Sequence, residues 1–260
     1  MSELLTVTNL SKRFGGVKAV NDLNMTVREG EILGVIGPNG AGKTTSINVV
    51  SGVYRPDSGT VIFDGKDVTG MIPSALARMR LVRTFQATTV FSGRTVRENA
   101  LRGAFLTRYP GFLPALFSTS DARAKDRESQ ALADEVLDWL GLSNVAENDA
   151  GSLPYGFQKT LGMAIALAAK PRLIMLDEPV AGLSAEETDH VRDTILKVRQ
   201  RGITVVVVDH NMRFISGLCD RVTVINQGHK LAEGTPREVL SNPLVIEAYL
   251  GKSHAAAVNS

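Results

Sequence analysis

The sequence predicts an α/β protein with a parallel sheet at its centre, an antiparallel part near the N-terminus and a helical insertion in the middle. One observation is an apolar run at residues 32–36 that leads directly into the glycine-rich stretch GPNGAGKT. Another is a pair of continuous apolar runs at residues 173–176 and 203–208, each followed by an aspartate. Continuous runs of this length are typical of parallel strands that are covered on both faces. The long stretch at residues 99–162 contains no comparable run.

The N-terminal part contains the shorter strand signals. Alternating or apolar segments at residues 4–7 and 23–27 predict two strands, and residues 60–63 predict a third that enters a tight turn at Asp64 and Gly65. A helix is expected to begin at Lys43, because no helix-breaking residue follows before Gly52. Together these elements predict one mixed sheet whose antiparallel portion lies at the N-terminal side.

The middle and the C-terminal part are predicted to be mainly helical. Residues 129–140 carry apolar side chains at helical spacing, which indicates a helical insertion. Thr235 and Glu238 form the pattern of a capping box around Pro236, so a short helix should begin there. Asn242 begins a second short helix in the same way, and residues 252–260 are expected to be a frayed tail.

The composition excludes several classes of protein. A hydrophobic fraction of 43% and a charged fraction of 22% are typical of a globular chain. The formal net charge of +2 does not indicate nucleic acid as a partner. Cys219 is the only cysteine, which excludes an intrachain disulfide, fits a reducing compartment and predicts a small buried apolar side chain. The sequence shows no signal peptide and no run near the roughly 18 apolar residues of a membrane span, so we expect any action at a membrane to come from its side.

The glycine-rich stretch satisfies the pattern G-x-x-x-x-G-K-[ST] with Gly37, Gly42, Lys43 and Thr44. Glycines allow backbone N–H groups to surround phosphates, the lysine reaches the terminal phosphate, and the hydroxyl ligates Mg²⁺. Because a strand precedes this loop and a helix follows it, we predict a nucleoside triphosphate site rather than a simple connecting turn. The predicted binding residues are Gly37, Pro38, Asn39, Gly40, Ala41, Gly42, Lys43, Thr44 and Thr45.

An acidic pair follows the apolar run at residues 173–176. Asp177 stands where a second carboxylate is needed on the Mg²⁺ side, and Glu178 alternates in direction and can face the γ-phosphate to polarise a water molecule. An Asp-Glu pair by itself is most often a solvated strand end. Its position after a buried strand, in a chain with a phosphate-binding loop, favours the functional interpretation.

The order of motifs along the chain resembles the ABC transporter ATPases, from Leu4 to about Gly251. The motifs that carry the resemblance lie at residues 37–45, 84–86, 153–158, 173–179 and 209–210. The resemblance implies a RecA-like P-loop NTPase core with an antiparallel β subdomain and a helical insertion, in a single domain over residues 1–251. Within it, the core and the antiparallel part would take residues 1–87 and 163–235, the helical subdomain residues 88–162, and C-terminal helices residues 236–251.

The same resemblance implies roles for further residues. Gln86 matches the Q-loop glutamine, which touches Mg²⁺ and couples to the membrane subunits, and His210 matches the γ-phosphate contact known as the switch histidine. Phe14 resembles the aromatic that stacks on adenine, although it can also be a core residue. Residues 181–184 resemble the D-loop at the interface of a head-to-tail dimer, in which the signature loop of one subunit completes the ATP site of the other. The expected catalytic residues are Glu178, His210, Lys43 and Gln86, and the expected Mg²⁺ ligands are Thr44, Gln86 and Asp177.

The signature loop departs from the common pattern Leu-Ser-Gly-Gly-Gln. Its positions hold Leu153, Pro154, Tyr155, Gly156 and Phe157. Pro154 provides neither the hydroxyl nor the N–H that would contact the partner's γ-phosphate, whereas Gly156 still permits close backbone approach. Our hypothesis is a heterodimer in which a second, different ABC ATPase provides the intact signature. Ser184 also stands where many relatives have aspartate.

Several stretches resemble the ATP-binding subunits of branched-chain amino-acid importers. They lie at residues 13–16, 82–86, 155–156, 181–183 and 242–251, and that subfamily has an insert that corresponds to about residues 101–127. The apolar patch at residues 112–117 is expected to pack within this insert. The surface expected to meet a permease comprises Arg83, Val90, Phe91, Ser92 and Arg94, although each of them can also be a surface residue without a partner.

The resemblance further implies ATP and Mg²⁺ as cofactors, two transmembrane permease subunits, and an extracytoplasmic solute-binding protein that acts through the permease. The expected location is peripheral, on the cytoplasmic face of the inner membrane. Urea importers and the ATPase of lipopolysaccharide export have similar tails. The stretches at residues 155–156 and 82–86 favour an importer, but neither of them contacts the transported solute, so these alternatives stay open. A soluble ABC switch protein is a further alternative, but such proteins usually carry two modules or long coiled coils.

Overall fold

The computed structural model describes residues 2–84, 90–108 and 120–249, with the side chains of residues 106–108, 120–123 and 125 left aside. Gln86, the apolar patch at residues 112–117 and the tail at residues 252–260 lie outside the described residues. The strands are β1 Glu3–Phe14, β2 Val17–Arg28, β3 Ile32–Ile36, β4 Ser58–Phe63, β5 Lys66–Asp67, β6 Leu81–Arg83, β7 Leu173–Asp177, β8 Thr204–Val208, β9 Arg221–Asn226 and β10 His229–Gly234. The helices are α1 Lys43–Val50, α2 Pro73–Arg78, α3 Val96–Arg108, α4 Ser120–Trp139, α5 Tyr155–Leu167, α6 Ala185–Gln200, α7 Met212–Leu218, α8 Pro236–Leu240 and α9 at residues 243–249.

The described strands form two sheets. A six-stranded sheet has the order β10-β9-β3-β8-β7-β6, in which β3, β6, β7, β8 and β9 pair in parallel and β10 is antiparallel to β9. A separate four-stranded antiparallel sheet has the order β2-β1-β4-β5. The prediction of one mixed sheet is therefore wrong, because the N-terminal strands pair only among themselves.

Burial on both faces explains the continuous apolar strands. Every residue of β3, β7 and β8 is buried. Since successive side chains point to opposite faces, Ile32 and Val205 join one core with the helices, whereas Leu33 and Val206 join a second core with the antiparallel sheet and α1. The antiparallel sheet therefore covers one face of the parallel sheet, and helices cover the other.

The middle of the chain is helical in its described part, as predicted. Helices α3, α4 and α5 contribute apolar side chains to the core on the helical face, including Val96, Leu137 and Leu161. The Arg201 guanidinium lies 4.4 Å from the centre of the Trp139 ring, which joins α4 to the end of α6. Among the helices in the described ranges, none is long and apolar enough to cross a membrane.

The C-terminal helices begin where the sequence predicts. The Thr235 hydroxyl accepts a hydrogen bond from the Glu238 N–H, and the Glu238 carboxylate accepts from the Thr235 N–H, which completes the capping box of α8. Pro236 is the first helical residue. Val245 on α9 is buried in the core with the helices, so this segment packs against the body of the protein.

Cys219 is buried at the end of α7, and its sulfur packs close to Gly34 on β3. Burial raises the pKa of the Cys219 thiol to about 12. A raised pKa means that the unreactive thiol form persists at pH 8, with only about one molecule in ten thousand as thiolate. We therefore expect native protein to react very slowly with Ellman's reagent, and urea-unfolded protein to release one thiol equivalent at once. Rapid stoichiometric labelling of the native chain would contradict this burial.

Candidate nucleotide-binding and catalytic site

The predicted phosphate-binding loop joins β3 to α1. Two of its glycines cannot be replaced without displacing backbone. Gly37 has φ 154°, and a Cβ there would lie 2.0 Å from the Ile225 carbonyl oxygen. Gly42 has φ 99°, and a Cβ there would lie 2.2 Å from the Ala19 carbonyl oxygen. The loop thus packs closely against β2 and β9 because these positions have no side chain.

The loop ends in a helix start that suits an anion. Helix α1 begins at Lys43, and no side chain caps its first N–H groups, which carry the positive end of the helix dipole. The Lys43 side chain, 8% exposed, folds back over the loop and donates hydrogen bonds to the carbonyl oxygens of Gly37 at 2.7 Å and Pro38 at 3.1 Å. The ammonium is thereby held directly above the loop backbone.

A cavity of about 550 Å³ opens in front of this loop. The residues at positions 39–45 line it together with Glu178, which follows β7, and with Val17 at the start of β2 and Gly228 in the turn between β9 and β10. The structure therefore brings the predicted loop and the predicted base to the same cavity. The lining of this cavity does not include the other predicted site residues that the structure describes, which are Gly37, Pro38, Phe14, Asp177, His210 and the signature loop.

Phe14 lies at the end of β1, with 42% of its surface exposed. The edge of its ring meets Tyr54 at a centroid distance of 5.1 Å and an interplanar angle of 75°, and Lys12 Nζ lies 5.7 Å from the ring centre. An exposed aromatic face held from one side is suited to stacking on a planar base. Sequence reasoning missed Tyr54, because its contact with Phe14 joins residues forty positions apart and no motif marks it.

Asp177 lies at the end of β7 and is fully buried. One carboxylate oxygen accepts a hydrogen bond from Arg83 Nη2 at 2.7 Å, and the Arg83 side chain is only 7% exposed. Burial raises the pKa of the Asp177 carboxyl, while the Arg83 guanidinium acts in the opposite direction. The expectation that Arg83 is part of a permease-facing surface is wrong, because this side chain points inward from β6 to its neighbouring strand.

The other oxygen of Asp177 shows that the site fits a cation. Oδ1 is buried and has no hydrogen-bond partner among the described residues. A buried carboxylate oxygen without a donor is costly unless a cation or its water completes it. Carboxylate and hydroxyl oxygens are also the ligands that Mg²⁺ prefers, and Thr44 at the start of α1 lines the cavity with such a hydroxyl.

Glu178 follows Asp177 with a left-handed backbone, φ 49°, which is uncommon for a residue with a side chain. Its N–H donates to the Val208 carbonyl at 2.8 Å, so the strained residue is fixed to the end of β8. His210 Nδ1 lies 3.8 Å from Glu178 Oε1 and 3.9 Å from Asp209 Oδ1. Backbone strain of this kind is concentrated at functional sites, where it aims a side chain.

Lys159 is a site residue that sequence reasoning did not identify. It lies one turn into α5 and donates from Nζ to the Glu178 carbonyl oxygen at 3.3 Å. Its ammonium also lies 5.4 Å from the centre of the Tyr155 ring. The helix that follows the signature loop is therefore connected to the backbone of the predicted catalytic carboxylate. Only the distance in space shows this connection, since the sequence separates the two residues by nineteen positions.

The signature loop begins α5. Pro154 is the N-cap residue, with no side-chain hydrogen bond to the helix, and Tyr155 is 43% exposed. Gly156 is buried, and a Cβ there would lie 2.9 Å from Glu187 Oε1 at the start of α6. Ser184 is the N-cap of α6 and forms a capping box with Glu187. The serine in the D-loop thus has a structural role in starting α6.

The glycine-rich loop joins the parallel strand β3 to a helix and faces Glu178, which follows β7, two strands away in the sheet. This arrangement defines a P-loop ATPase. More specifically, the chain belongs to the ABC transporter family, whose family model matches residues 20–181. A second model, described as branched-chain amino acid ATP-binding cassette transporter, matches residues 229–255. The family and the fold class that the motif order predicts are confirmed, and the chain is an ABC-type ATPase.

Its relatives match over nearly their whole length. The chain is 41% identical to the high-affinity branched-chain amino acid transport ATP-binding protein BraF of Pseudomonas aeruginosa, over 96% of this chain and 98% of that protein. It is 39% identical to LivG of Escherichia coli, which has the same description, with the same coverage. Among solved structures, an ATP-binding cassette of an ABC transporter in its ADP conformation is similar with a TM-score of 0.85 and 34% identity, over 96% of this chain and 100% of that one.

Proposed function

We propose that this chain is the ATP-hydrolysing subunit of an ABC importer that takes up branched-chain amino acids or a similar small organic solute. The observation that carries the proposal is the identity of 41% with BraF over 96% of the chain. The match of the C-terminal residues 229–255 to the branched-chain amino acid family model supports it independently of the ATPase motifs. Both observations favour this function over urea import and lipopolysaccharide export.

For the nucleotide, we propose that the loop at residues 37–45 surrounds the phosphates and that Phe14 stacks on adenine. Lys43, held at the loop by two carbonyls, is placed to exchange those contacts for phosphate oxygens. Thr44, Asp177 and Gln86 would hold Mg²⁺, which supplies charge neutralisation at the phosphates. This assignment is supported by the unpartnered oxygen of Asp177, whereas Gln86 rests on the motif alone.

For hydrolysis, we propose Glu178 as the group that orients and deprotonates water, with His210 as a γ-phosphate contact. Glu178 reaches the loop cavity, and His210 lies beside it at 3.8 Å. Both side chains extend from the carboxyl ends of neighbouring strands, where catalytic groups of open α/β sheets are found. Catalysis would come mainly from positioning and charge stabilisation.

The arrangement of the signature loop supports a dimer. Leu153, Pro154, Tyr155 and Gly156 are not in the lining of the chain's own nucleotide cavity, while Tyr155 is exposed and available to a second subunit. Pro154 at the helix start has no hydroxyl to donate to a phosphate. We therefore propose a heterodimer with a different ABC ATPase whose signature loop completes the site of Lys43 and Glu178.

The remaining partners follow from the importer function. Two transmembrane permease subunits would hold the ATPase pair at the cytoplasmic face of the inner membrane, and a solute-binding protein outside would deliver the substrate to the permease. The exposed Phe91 ring, under the Arg102 guanidinium at 3.6 Å, and the exposed Arg94 lie in the surface segment that would meet the permease.

The proposal is tested by copurification from the native cell. A Glu178→Gln chain with an affinity tag is extracted from membranes in the presence of ATP, which should hold the closed ATPase pair together. We expect two permease proteins and a second, different ATPase in the complex. Two copies of this chain with exporter subunits would indicate lipid or polysaccharide export, and the absence of membrane proteins would contradict the importer. A homodimer with two equally fast ATP sites would contradict the heterodimer.

A further inference from the structure

Arg83 connects three elements of the site at one buried point. From the end of β6 its guanidinium donates Nη2 to Asp177 Oδ2 at the end of β7, over 2.7 Å. Its Nη1 donates to Asn48 Oδ1 and, at 3.3 Å, to Ser51 Oγ, which belong to α1 and to the C-cap of that helix. The ion pair has exposed fractions of 7% and 0% on its two sides, so solvent does little to screen it.

The charges at this point are balanced before any metal binds. A carboxylate as deeply buried as Asp177 is stable only with an opposite charge, and Arg83 provides it. The pairing uses Oδ2 and leaves Oδ1 without a partner among the described residues. The guanidinium therefore fixes the orientation of the carboxylate and also places a positive charge next to the oxygen that would face Mg²⁺.

The contacts with α1 extend this control to the second proposed ligand. Asn48 follows Thr44 by four positions on α1, so the two side chains lie on the same face of the helix, one turn apart. By holding Asn48 and Asp177 together, Arg83 sets the position of the carboxylate relative to the helix face that carries the Thr44 hydroxyl. A lysine at this position would provide the charge, but its donors all lie on one nitrogen, whereas Arg83 uses two separate nitrogen atoms for Asp177 and for α1.

We propose that Arg83 is a positioning residue of the ATPase site, a built-in counter-ion that pairs with Asp177 before Mg²⁺ binds and next to whose positive charge Mg²⁺ must bind. The proposal rests on the function proposed above, in which this chain binds a magnesium nucleotide. Its consequence is that Arg83 keeps the metal-free site ordered and lowers the gain in nucleotide affinity that Mg²⁺ brings. The guanidinium and the metal are thus linked through one carboxylate.

The test measures how much Mg²⁺ tightens the binding of the fluorescent nucleotide mant-ADP to the full chain. The quantity is the ratio of the dissociation constant in EDTA to that in saturating Mg²⁺. In this ratio, any change in nucleotide affinity that is the same with and without Mg²⁺ cancels. We expect Arg83→Met to raise this ratio by about tenfold or more, because a unit positive charge is removed from beside the buried carboxylate that would hold the metal. Arg83→Lys, which keeps the charge, should leave the ratio within about threefold of wild type.

Two further variants make the result specific. Arg172, like Arg83, pairs with carboxylates, but it does so near the surface, with Glu29 and Asp64. Arg172→Met should therefore leave the ratio unchanged. Arg83→Gln is neutral and can still hydrogen-bond Asp177, so it gives the same expected increase if Arg83→Met does not fold. In the Asp177→Asn background, the effect of Arg83→Met should disappear.

The outcomes separate this inference from the proposed function. A ratio that stays equal or falls in both Arg83→Met and Arg83→Gln would overturn the counter-ion role while leaving the nucleotide site intact. A wild-type chain that binds mant-ADP neither in EDTA nor in Mg²⁺ would overturn the proposed function and this inference together. A merely structural role for Arg83 would lower stability in urea without changing the ratio, and that result would also contradict the proposal.

Discussion

Glu178→Gln is expected to bind ATP as tightly as the wild-type chain and to lose nearly all turnover. The substitution keeps the size and backbone of the residue but removes the negative charge that would accept a proton from water. Loss of a general base typically slows a reaction by about 10² to 10⁴. Glu178 lines the loop cavity, and its backbone N–H donates a hydrogen bond to the Val208 carbonyl. Because the substitution changes neither, it should leave the phosphate loop undisturbed.

The measurement pairs phosphate release with equilibrium binding of a fluorescent ATP analogue, on the complex with its partner ATPase. Glu247→Gln on α9 is the matched control, since this exposed carboxylate lies outside the cavity and should leave both quantities unchanged. Hydrolysis by Glu178→Gln at the wild-type rate would show that another group is the base. Loss of binding together with turnover would show instead that Glu178 helps to hold the nucleotide.

The elements that the sequence predicts well are those with a strong local pattern. Residues 173–176 and 203–208 are continuous apolar runs; residues 173–176 lie in β7 and residues 204–208 form β8, both buried on both faces. The capping box at Thr235 is predictable from the local sequence, because both of its hydrogen bonds join residues three positions apart. The pairing of the N-terminal strands was not predictable in the same way. Local alternation shows that β1 has a buried face, but not that its partners β2 and β4 form a sheet separate from β3.

The same distinction holds within the site. The phosphate loop, Asp177 and Glu178 are contiguous stretches whose chemistry is visible in the sequence. The supporting contacts are not contiguous, since Arg83 and Asp177 are ninety-four positions apart, and Lys159 reaches the Glu178 carbonyl from another helix. Strand order decides such contacts. Because β6 pairs with β7, the Arg83 side chain, which the sequence predicts on a permease-facing surface, contacts the buried Asp177 carboxylate instead.

In the proposed heterodimer, the departure at Pro154 would make the two composite ATP sites different. A helix that starts at an exposed proline and tyrosine presents backbone and an aromatic ring, but no side-chain hydroxyl, to a second subunit. The chain's own loop cavity, by contrast, is lined by Lys43, Thr44 and Glu178, the residues proposed here for phosphate binding, Mg²⁺ coordination and water activation. The two composite sites of a heterodimer would therefore differ, with the full set of groups at the site where this chain contributes its phosphate loop and the partner contributes its signature.

Lys43→Ala is expected to remove most of the affinity for ATP, the largest effect on binding that a single side chain of this site should have. A charge-assisted hydrogen bond contributes about 1.5 to 3 kcal/mol, or roughly ten- to 150-fold in affinity. The substitution also removes the two donors from the carbonyl oxygens of Gly37 and Pro38, so the loop loses its internal contact as well as its charge. Both consequences weaken phosphate binding.

The two consequences can be separated by the choice of ligand. Affinity for mant-ATP should fall strongly in Lys43→Ala, whereas affinity for mant-adenosine, which has no phosphate, should change little if Phe14 and Tyr54 hold the base. Lys197→Ala on the exposed side of α6 is the matched control and should bind both ligands as the wild type does. If Lys43→Ala binds mant-ATP tightly, the phosphate loop is not the triphosphate site. If it loses mant-adenosine as well, the lysine is required for the shape of the whole cavity, because its two hydrogen bonds order the loop on which the other contacts depend.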